Sequence, residues 1–491
     1  MNGKAFRTAL AATVFISAAT IGAAGVAQAQ SAPLDQDAKI ADLQRQVDEL
    51  KAMVRAMQEM QQGTTQLAAA PTGSAITAPA SSTLSPSVAG SAPQAVQVAA
   101  AAPATAKKKG WFEKLQIRGY TQLRMNEIVG GAKTAPSGVA RVRSVQDGGI
   151  NDNGNFSIRR ARLVVQGDIS DRVSLYMQGD LATSTSNQSN GESRLHYFQM
   201  RDAYADVFLD EAKSFRLRFG QSKVPFGWEN MQSSQNRVPL DRTDPINQPV
   251  PGERDLGAVA YYTPPAFQAI WNELAKDEQK LFGNYGALGF GVFNGQSVNR
   301  TERNGGLMTV ALATMPIRLD GLGGIFEGQV AEIGASGILN KFRPEVRSGG
   351  VSATEFADNH VGIHAMIYPR PFGIQAEWKW GKGPVWDAPS SSIKSGESTG
   401  GYIMTMYRMP NTGIGQIIPF ARWQKYRGGW KAATNAPRLD GEQYEAGVEW
   451  QPMKELEIVL SYAAVDRMEA DERRVGRAKG DVVRAQVQWN Y

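Results

Sequence analysis

The chain has 491 residues, with 53 Lys and Arg against 47 Asp and Glu and a formal charge of +6. That length suffices for a large ordered domain, while so slight a charge excludes the concentrated basic patch of a nucleic-acid binder. Cysteine is absent, which excludes disulfides, thiolate metal sites, a catalytic thiol and a lipoprotein anchor together.

Residues 1–29 read as a secretory signal. Lys4 and Arg7 form a charged start, Ala9 to Val26 is small and apolar, and Ala27-Gln28-Ala29 is a small-x-small cleavage pattern. After Ala29 no stretch approaches the roughly 18 apolar residues of a membrane helix, so the chain is exported without one. Residues 34–62 predict a helix. Ile40, Leu43, Val47, Leu50, Val54 and Met57 alternate in steps of three and four, the apolar seam of a coiled coil. The same stripe suits an amphipathic helix packed on its own protein, but the neighbouring sequence offers nothing to pack on. Residues 63–110 are rich in Ala, Pro, Ser, Thr and Gly, which cannot bury a core and reads as a flexible linker. Lys107-Lys108-Lys109 within it reads as a solvated charge run.

From residue 111 to 491 segments of about ten residues alternate apolar and polar side chains, the pattern of membrane barrel strands. In the first, Leu115, Ile117, Gly119, Thr121, Leu123 and Met125 oppose Lys114, Gln116, Arg118, Tyr120, Gln122 and Arg124. In the last, Val483, Ala485, Val487, Trp489 and Tyr491 oppose Arg484, Gln486, Gln488 and Asn490. A soluble sandwich also has one apolar face, but here the chain stops on an aromatic residue in phase with that face, as outer-membrane barrels do. Strands are predicted near 114–126, 155–169, 172–183, 196–209, 214–223, 255–263, 285–295, 306–317, 323–335, 360–370, 373–382, 398–409, 416–427, 441–451, 455–466 and 481–491. Connections after odd-numbered strands are mostly long (127–154, 224–254, 336–359) and those after even-numbered strands mostly short (Ser170-Asp171, Pro371-Phe372). The expected fold is therefore all-β: an antiparallel transmembrane barrel of about sixteen strands in the outer membrane of a Gram-negative cell, with both barrel ends and the N-terminal region in the periplasm. The segment 264–284 breaks the rule, being too long for a short turn, and leaves a misplaced strand pair as one explanation.

Sixteen strands enclose an aqueous channel, whose lining sets selectivity. Arg118, Arg124, Arg160, Arg162, Arg216 and Arg218 fall on the polar face, where guanidinium groups attract anions and bind phosphate oxygens in pairs. Asp180, Asp202, Asp206, Glu377, Glu445 and Glu449 fall there too, so the residues leave the sign of the preference open. The connection 224–254 is stiffened by Pro225, Pro239, Pro245, Pro249 and Pro251 and carries Arg237, Arg242 and Arg254. Such a loop either folds into the lumen and narrows it or remains on the surface.

Five motifs in order resemble the phosphate-selective porin O and P family. They are Ile158-Arg159-Arg160-Ala161-Arg162 with Gly167, Arg201-Asp202-Ala203-Tyr204-Ala205-Asp206, Gly220 to Gly227 followed by Glu229, Gly252 to Gly257, and Phe293-Asn294-Gly295. The resemblance covers 111–491 and implies a homotrimeric, sixteen-stranded channel for small anions such as phosphate, with basic residues at a constriction. Lys223 and Arg237 are its natural constriction residues. An enzyme fits poorly. His196, His360 and His364 are the only histidines, the last two lie on a predicted strand facing the lumen, no H-E-x-x-H is present, and nothing calls for a cofactor or metal. The competing reading is a structural protein whose coiled coil and linker tie the barrel to peptidoglycan.

Overall fold

The computed structural model describes Arg45, Asp48, residues 110–131, Asp147, Ile150, and residues 154–184, 195–280, 285–473 and 475–491. The predicted signal and nearly all of the predicted coiled coil and linker lie outside these residues; Arg45 and Asp48, within the predicted coiled coil, are helical.

A single 3-10 turn, Trp111–Lys114, leads into the first strand. The barrel strands are β1 (Gln116–Gly131), β2 (Asn155–Asp168), β3 (Val173–Ser184), β4 (Leu195–Phe208), β5 (Phe215–Lys223), β6 (Arg254–Tyr262), β7 (Leu288–Phe293) and β8 (Met308–Arg318). They continue with β9 (Val330–Leu339), β10 (Asn359–Ile367), β11 (Phe372–Asp387), β12 (Ser392–Tyr407), β13 (Gln416–Gly429), β14 (Arg438–Met453), β15 (Leu456–Ala470) and β16 (Val475–Asn490). Each pairs antiparallel with its chain neighbour, and β16 pairs with β1, so the sheet closes. A separate two-stranded ribbon, Lys341–Phe342 with Phe356–Ala357, sits in the connection between β9 and β10.

The side-chain distribution is inside out. On β1 the apolar Ile117 is 71% exposed, while Gln122 and Arg124 beside it are 1% and 0% exposed. Phe156, Phe198, Phe219, Phe290, Ile363, Leu460 and Trp489 are likewise exposed on the outer face. A soluble protein would bury those side chains; a hydrocarbon surround makes the outer face their favourable environment. Closure satisfies every strand edge. At the seam Gln122 pairs with Gln488 and Arg124 with Gln486, and Tyr491 exchanges backbone hydrogen bonds with Gly119 at 2.6 and 3.0 Å. A Cβ on Gly119 would lie 2.4 Å from the Tyr491 ring, so glycine there lets the terminal aromatic close the barrel.

All sixteen predicted strands have a counterpart, with shifted bounds. The ninth begins at Val330, not 323. Gly323, Gly324 and Gly328 adopt positive φ, and two 3-10 turns, Asp320–Leu322 and Gly324–Phe326, occupy the segment expected to open that strand. Among the described residues of the segment 264–284 a helix, and no strand, accounts for the extra length. Residues Pro265–Lys276 form an α-helix whose Trp271 and Leu274 are buried; Phe267, Ile270, Trp271 and Leu274 share one helical face.

The connection between β5 and β6, residues 224–253, enters the barrel. It contains two single-turn helices, α1 (Trp228–Met231) and α2 (Asp244–Asn247), buried throughout. The Pro265–Lys276 helix, α3, packs beneath α1 through Trp271 and Leu274, which meet Trp228, Met231, Val330, Met366 and Tyr368. A second cluster joins Val238, Leu240 and Ile246 of the same connection to Tyr402, Met404, Met406, Ile418, Phe420 and Val459 of the far wall. Each large side chain buried in this way contributes about 1.5–3 kcal/mol, so apolar packing holds the connection inside the lumen.

Candidate functional site: two basic cavities on either side of an inward-folded loop

Polar contacts fix the inward loop around the wall. Ser234 Oγ lies 2.6 Å from Tyr120 Oη and accepts from Arg162 at 2.8 Å. Gln235 donates to Asn490 at 2.9 Å. The backbone N–H groups of Trp228 and Glu229 donate to Glu377 at 2.9 and 2.5 Å. Arg467 pairs with Asp244 at 2.7 Å, and Arg422 donates to the Asp241 carbonyl at 2.9 Å.

Two carboxylates of the loop, Asp241 and Glu253, each meet several cations, and Asp241 does so at the barrel seam. It pairs with Arg124 at 2.8 Å and with Arg484, which Asp147 also holds at 2.7 Å. Burial by itself would raise the Asp241 carboxyl, but Arg124, Arg484, Arg159 and Arg160 hold it well below the usual carboxylate range. Glu253 is similar: burial opposes ionisation, and Lys223, Arg242, Arg237 and Arg254 overcome it. Burial, with Arg237 alongside, lowers the Arg242 guanidinium to about 10 against the opposing pull of Glu253.

Two cavities lie against the β1–β6 wall. The larger, about 700 Å³, opens among Lys114, Arg118, Asp168, Ser174, Asp206 and Arg216 and also meets Tyr176, Tyr204, Arg218, Lys223 and Arg254. These are the strand ends joined by short connections. The smaller, about 290 Å³, is lined by Arg159, Arg160, Arg162, Asp180, Arg201, Arg242 and Glu253, with Gln199 beside them, at the ends joined by long connections. The loop supplies Ser233, Gln235 and Asn236 to the larger and Arg242, Gly252 and Glu253 to the smaller, so it stands between them. The larger carries six cationic side chains against Asp168, Asp202 and Asp206, and the smaller five arginines against Asp180 and Glu253.

The residues singled out from the sequence divide by surroundings. Arg118, Arg216, Arg218 and Lys223 line the larger cavity and Arg160 and Arg162 the smaller. Arg162 also pairs with Asp180 at 2.8 Å, and Arg218 with Asp206 at 2.7 Å. Arg124 is fully buried in the Asp241 cluster. Lys223 donates to the carbonyls of Asn230 and Gln232 at 2.9 and 2.6 Å, and Arg237 donates to Glu253 at 2.6 Å, so both hold the loop's own backbone and base. Of the inward carboxylates, Glu445 pairs with Arg422 at 2.6 Å and Glu449 with Lys280 at 2.7 Å. His360 meets Asp358 at 2.8 Å and His364 meets Thr314 at 3.0 Å.

Arg159 and Arg201 were hidden from a reading by alternation. The β1–β2 register steps from Gln122↔Arg160 to Leu123↔Ile158, and the β3–β4 register from Gln178↔Asp202 to Gly179↔Met200. Each skipped arginine is the extra residue of a β-bulge, which re-aims its side chain, and both line the smaller cavity. The doublet Arg159-Arg160 was the available signal, because strict alternation sends one of the two into lipid.

The chain matches the phosphate-selective porin O and P family over residues 137–491. No curated protein sequence matches it. Among solved structures, the OmpF porin of Salmonella typhi in complex with daunomycin aligns at 11% identity over 77% of this chain and 97% of that one, with a TM-score of 0.46. OprB of Pseudomonas putida at high pH aligns at 8% identity, 77% and 95% coverage and a TM-score of 0.45. An anion-selective porin from Comamonas acidovorans aligns at 11% identity, 77% and 99% coverage and a TM-score of 0.41. Closed sixteen-stranded, with lipid-type side chains outside and charge within, the chain belongs to the phosphate-selective porin O and P family of outer-membrane porins.

Proposed function

We propose that small anions, phosphate among them, diffuse passively along the β1–β6 wall from the smaller cavity to the larger, past the inward loop. The observation that carries this reading is the excess of guanidinium and ammonium groups over carboxylates in both cavities. Apolar packing of α1 and α3 occupies the lumen near β9 and β10, which favours a route along the basic wall. Arg118, Arg160, Arg162, Arg216 and Arg218 attract the permeant, Arg159 and Arg201 add to the smaller cavity, and Arg124, Lys223 and Arg237 act by holding the loop. Planar guanidinium groups suit a tetrahedral oxyanion because each offers two parallel donors.

The long connections face outward and the barrel ends face the periplasm in this reading, and the assembly is a homotrimer in outer-membrane lipid. Residues 1–29 are removed on export, 34–62 form a periplasmic coiled coil, 63–110 link it to the barrel of 111–491, and the coil reaches towards peptidoglycan. The deciding experiment is the reversal potential of the full-length protein in planar bilayers under a KCl gradient, with and without added phosphate. Anion selectivity with phosphate reducing the chloride current is expected; cation selectivity indifferent to phosphate would overturn the anion reading and leave the porin intact.

A further inference from the structure

The larger cavity contains something that a bare inorganic anion has no use for. Tyr176 and Tyr204, partners across β3 and β4, stack with ring centroids 5.1 Å apart and planes 13° from parallel. The Arg218 guanidinium lies over Tyr204, 3.7 Å from its centroid, and is neutralised by two hydrogen bonds to Asp206 at 2.7 and 2.8 Å. Tyr204 is thus covered on both faces. Tyr176 is covered by Tyr204 on one, is only half-buried, and lines the cavity. On its other side in the sheet Tyr176 pairs with Gln166 of β2.

Arg118 of β1 donates to that same Gln166 at 3.1 Å. Among the described residues it makes no ion pair, and it lines the same cavity. A guanidinium without a carboxylate therefore stands beside the open end of a planar aromatic column. A third planar group extends such a column favourably, since offset stacking is the preferred contact of aromatic rings. A cavity of about 700 Å³ is of the size that holds small organic ligands.

We propose that this vestibule binds small organic anions carried on an aromatic ring, aryl carboxylates and aryl phosphates, with the ring on Tyr176 and the anionic group on Arg118. The inference rests on the anion-passage reading and deepens it: the basic wall admits anions in general, and the column selects among them.

The test is block of chloride current through the full-length protein by benzoate, phenyl phosphate, acetate and inorganic phosphate. Benzoate should half-block at a concentration at least about tenfold below acetate, and phenyl phosphate similarly below inorganic phosphate, a difference of about 1.4 kcal/mol. Tyr176→Ala should bring each pair within about twofold, and Tyr176→Phe, which keeps the ring, should preserve the gap. Half-block of each pair within twofold in the unmodified protein overturns the inference, as does a gap that survives Tyr176→Ala. Cyclohexanecarboxylate blocking as strongly as benzoate overturns the stacking assignment. The KCl reversal potential of the same channels separates the two readings: anion selectivity without ring preference removes this inference alone, and cation selectivity removes both.

Discussion

Asp241 is one carboxylate answering two buried arginines on β1 and β16, the strands that close the barrel. Its carboxyl is wholly enclosed, so its value lies in what its removal leaves behind. Asp241→Ala strands Arg124 and Arg484 with only Asp147 between them, and breaking a buried pair costs about 3–5 kcal/mol. The expected result is a folded barrel whose loop lets go intermittently, read as excess open-channel noise; quiet traces at wild-type conductance would show that the loop does not depend on this contact. The pH dependence follows in sign. Asp241 and Glu253 have folded-state pKa values well below the ordinary carboxylate range. Their contribution is fully present above the unfolded value of about 4 and is lost as pH falls through the depressed values. Loop docking should therefore hold from neutrality to about pH 4 and weaken only in stronger acid. Conductance recorded from pH 7 downward checks this, and a transition near pH 6 would assign the gating to another group.

At the scale of elements, α3 and the inward loop act as one insert. The α3 helix begins at the Pro264-Pro265 pair, presents Trp271 and Leu274 to the loop, and donates the Trp271 indole N–H to Glu332 at 3.0 Å. Just beyond its end, Lys280 pairs with Glu449 at 2.7 Å and Glu457 at 3.2 Å, and Asp277 with Arg370 and Arg408 at 3.0 and 3.3 Å. The middle of α3 and the residues just beyond its C-terminal end are thus tied to the wall. Replacing residues 265–280 with a short Gly/Ser turn should raise single-channel conductance and weaken anion selectivity, by opening lumen beside Glu449 and Glu457. Unchanged conductance in a correctly inserted channel would mean that α3 does not occlude. The bulges of β2 and β4 are a smaller device of the same kind, delivering Arg159 and Arg201 to the cavity without lengthening either strand's partner.

At the scale of the whole molecule, selectivity is a matter of summed field. With carboxylates interspersed among the cations, the excess in each cavity is a few charges, and its reach is set by salt. The Debye length is about 10 Å at 0.1 M and about 3 Å at 1 M. The anion preference should therefore be strong in dilute KCl and shrink towards 1 M, while Arg118→Glu with Arg160→Glu, which leaves only a slight cationic excess in each cavity, should weaken it sharply at low salt; a salt-independent permeability ratio would point to a steric filter instead. The tethering role assigned to the N-terminal region is separable from conduction. Deleting residues 31–110 should leave conductance undiminished and, if the region ties the barrel to the cell wall, produce a blebbing envelope.

Strand number, strand order and lipid-facing side chains were legible in the alternation of residues, because a closed sheet between hydrocarbon and water imposes a period of two on every segment. The terminal Tyr491 and the contrast of long and short connections were legible for the same reason. The lumen was not. Alternation says that Arg124, Arg162 and Glu377 face inward but not what they meet there, and they meet a loop whose placement depends on apolar contacts with β12 and β13, over 150 residues away in the chain. Arg159 and Arg201 escaped because a bulge resets the period by one residue, and α3 because a helical stripe in a turn has no meaning until the lumen supplies its other half. What the sequence by itself determined is the barrel and, wherever the alternation runs unbroken, the side of its wall on which a strand's side chains fall. Which cations line the cavities and which are neutralised around the loop was decided only by tertiary structure, since ion pairing depends on distances that chain-local periodicity does not contain.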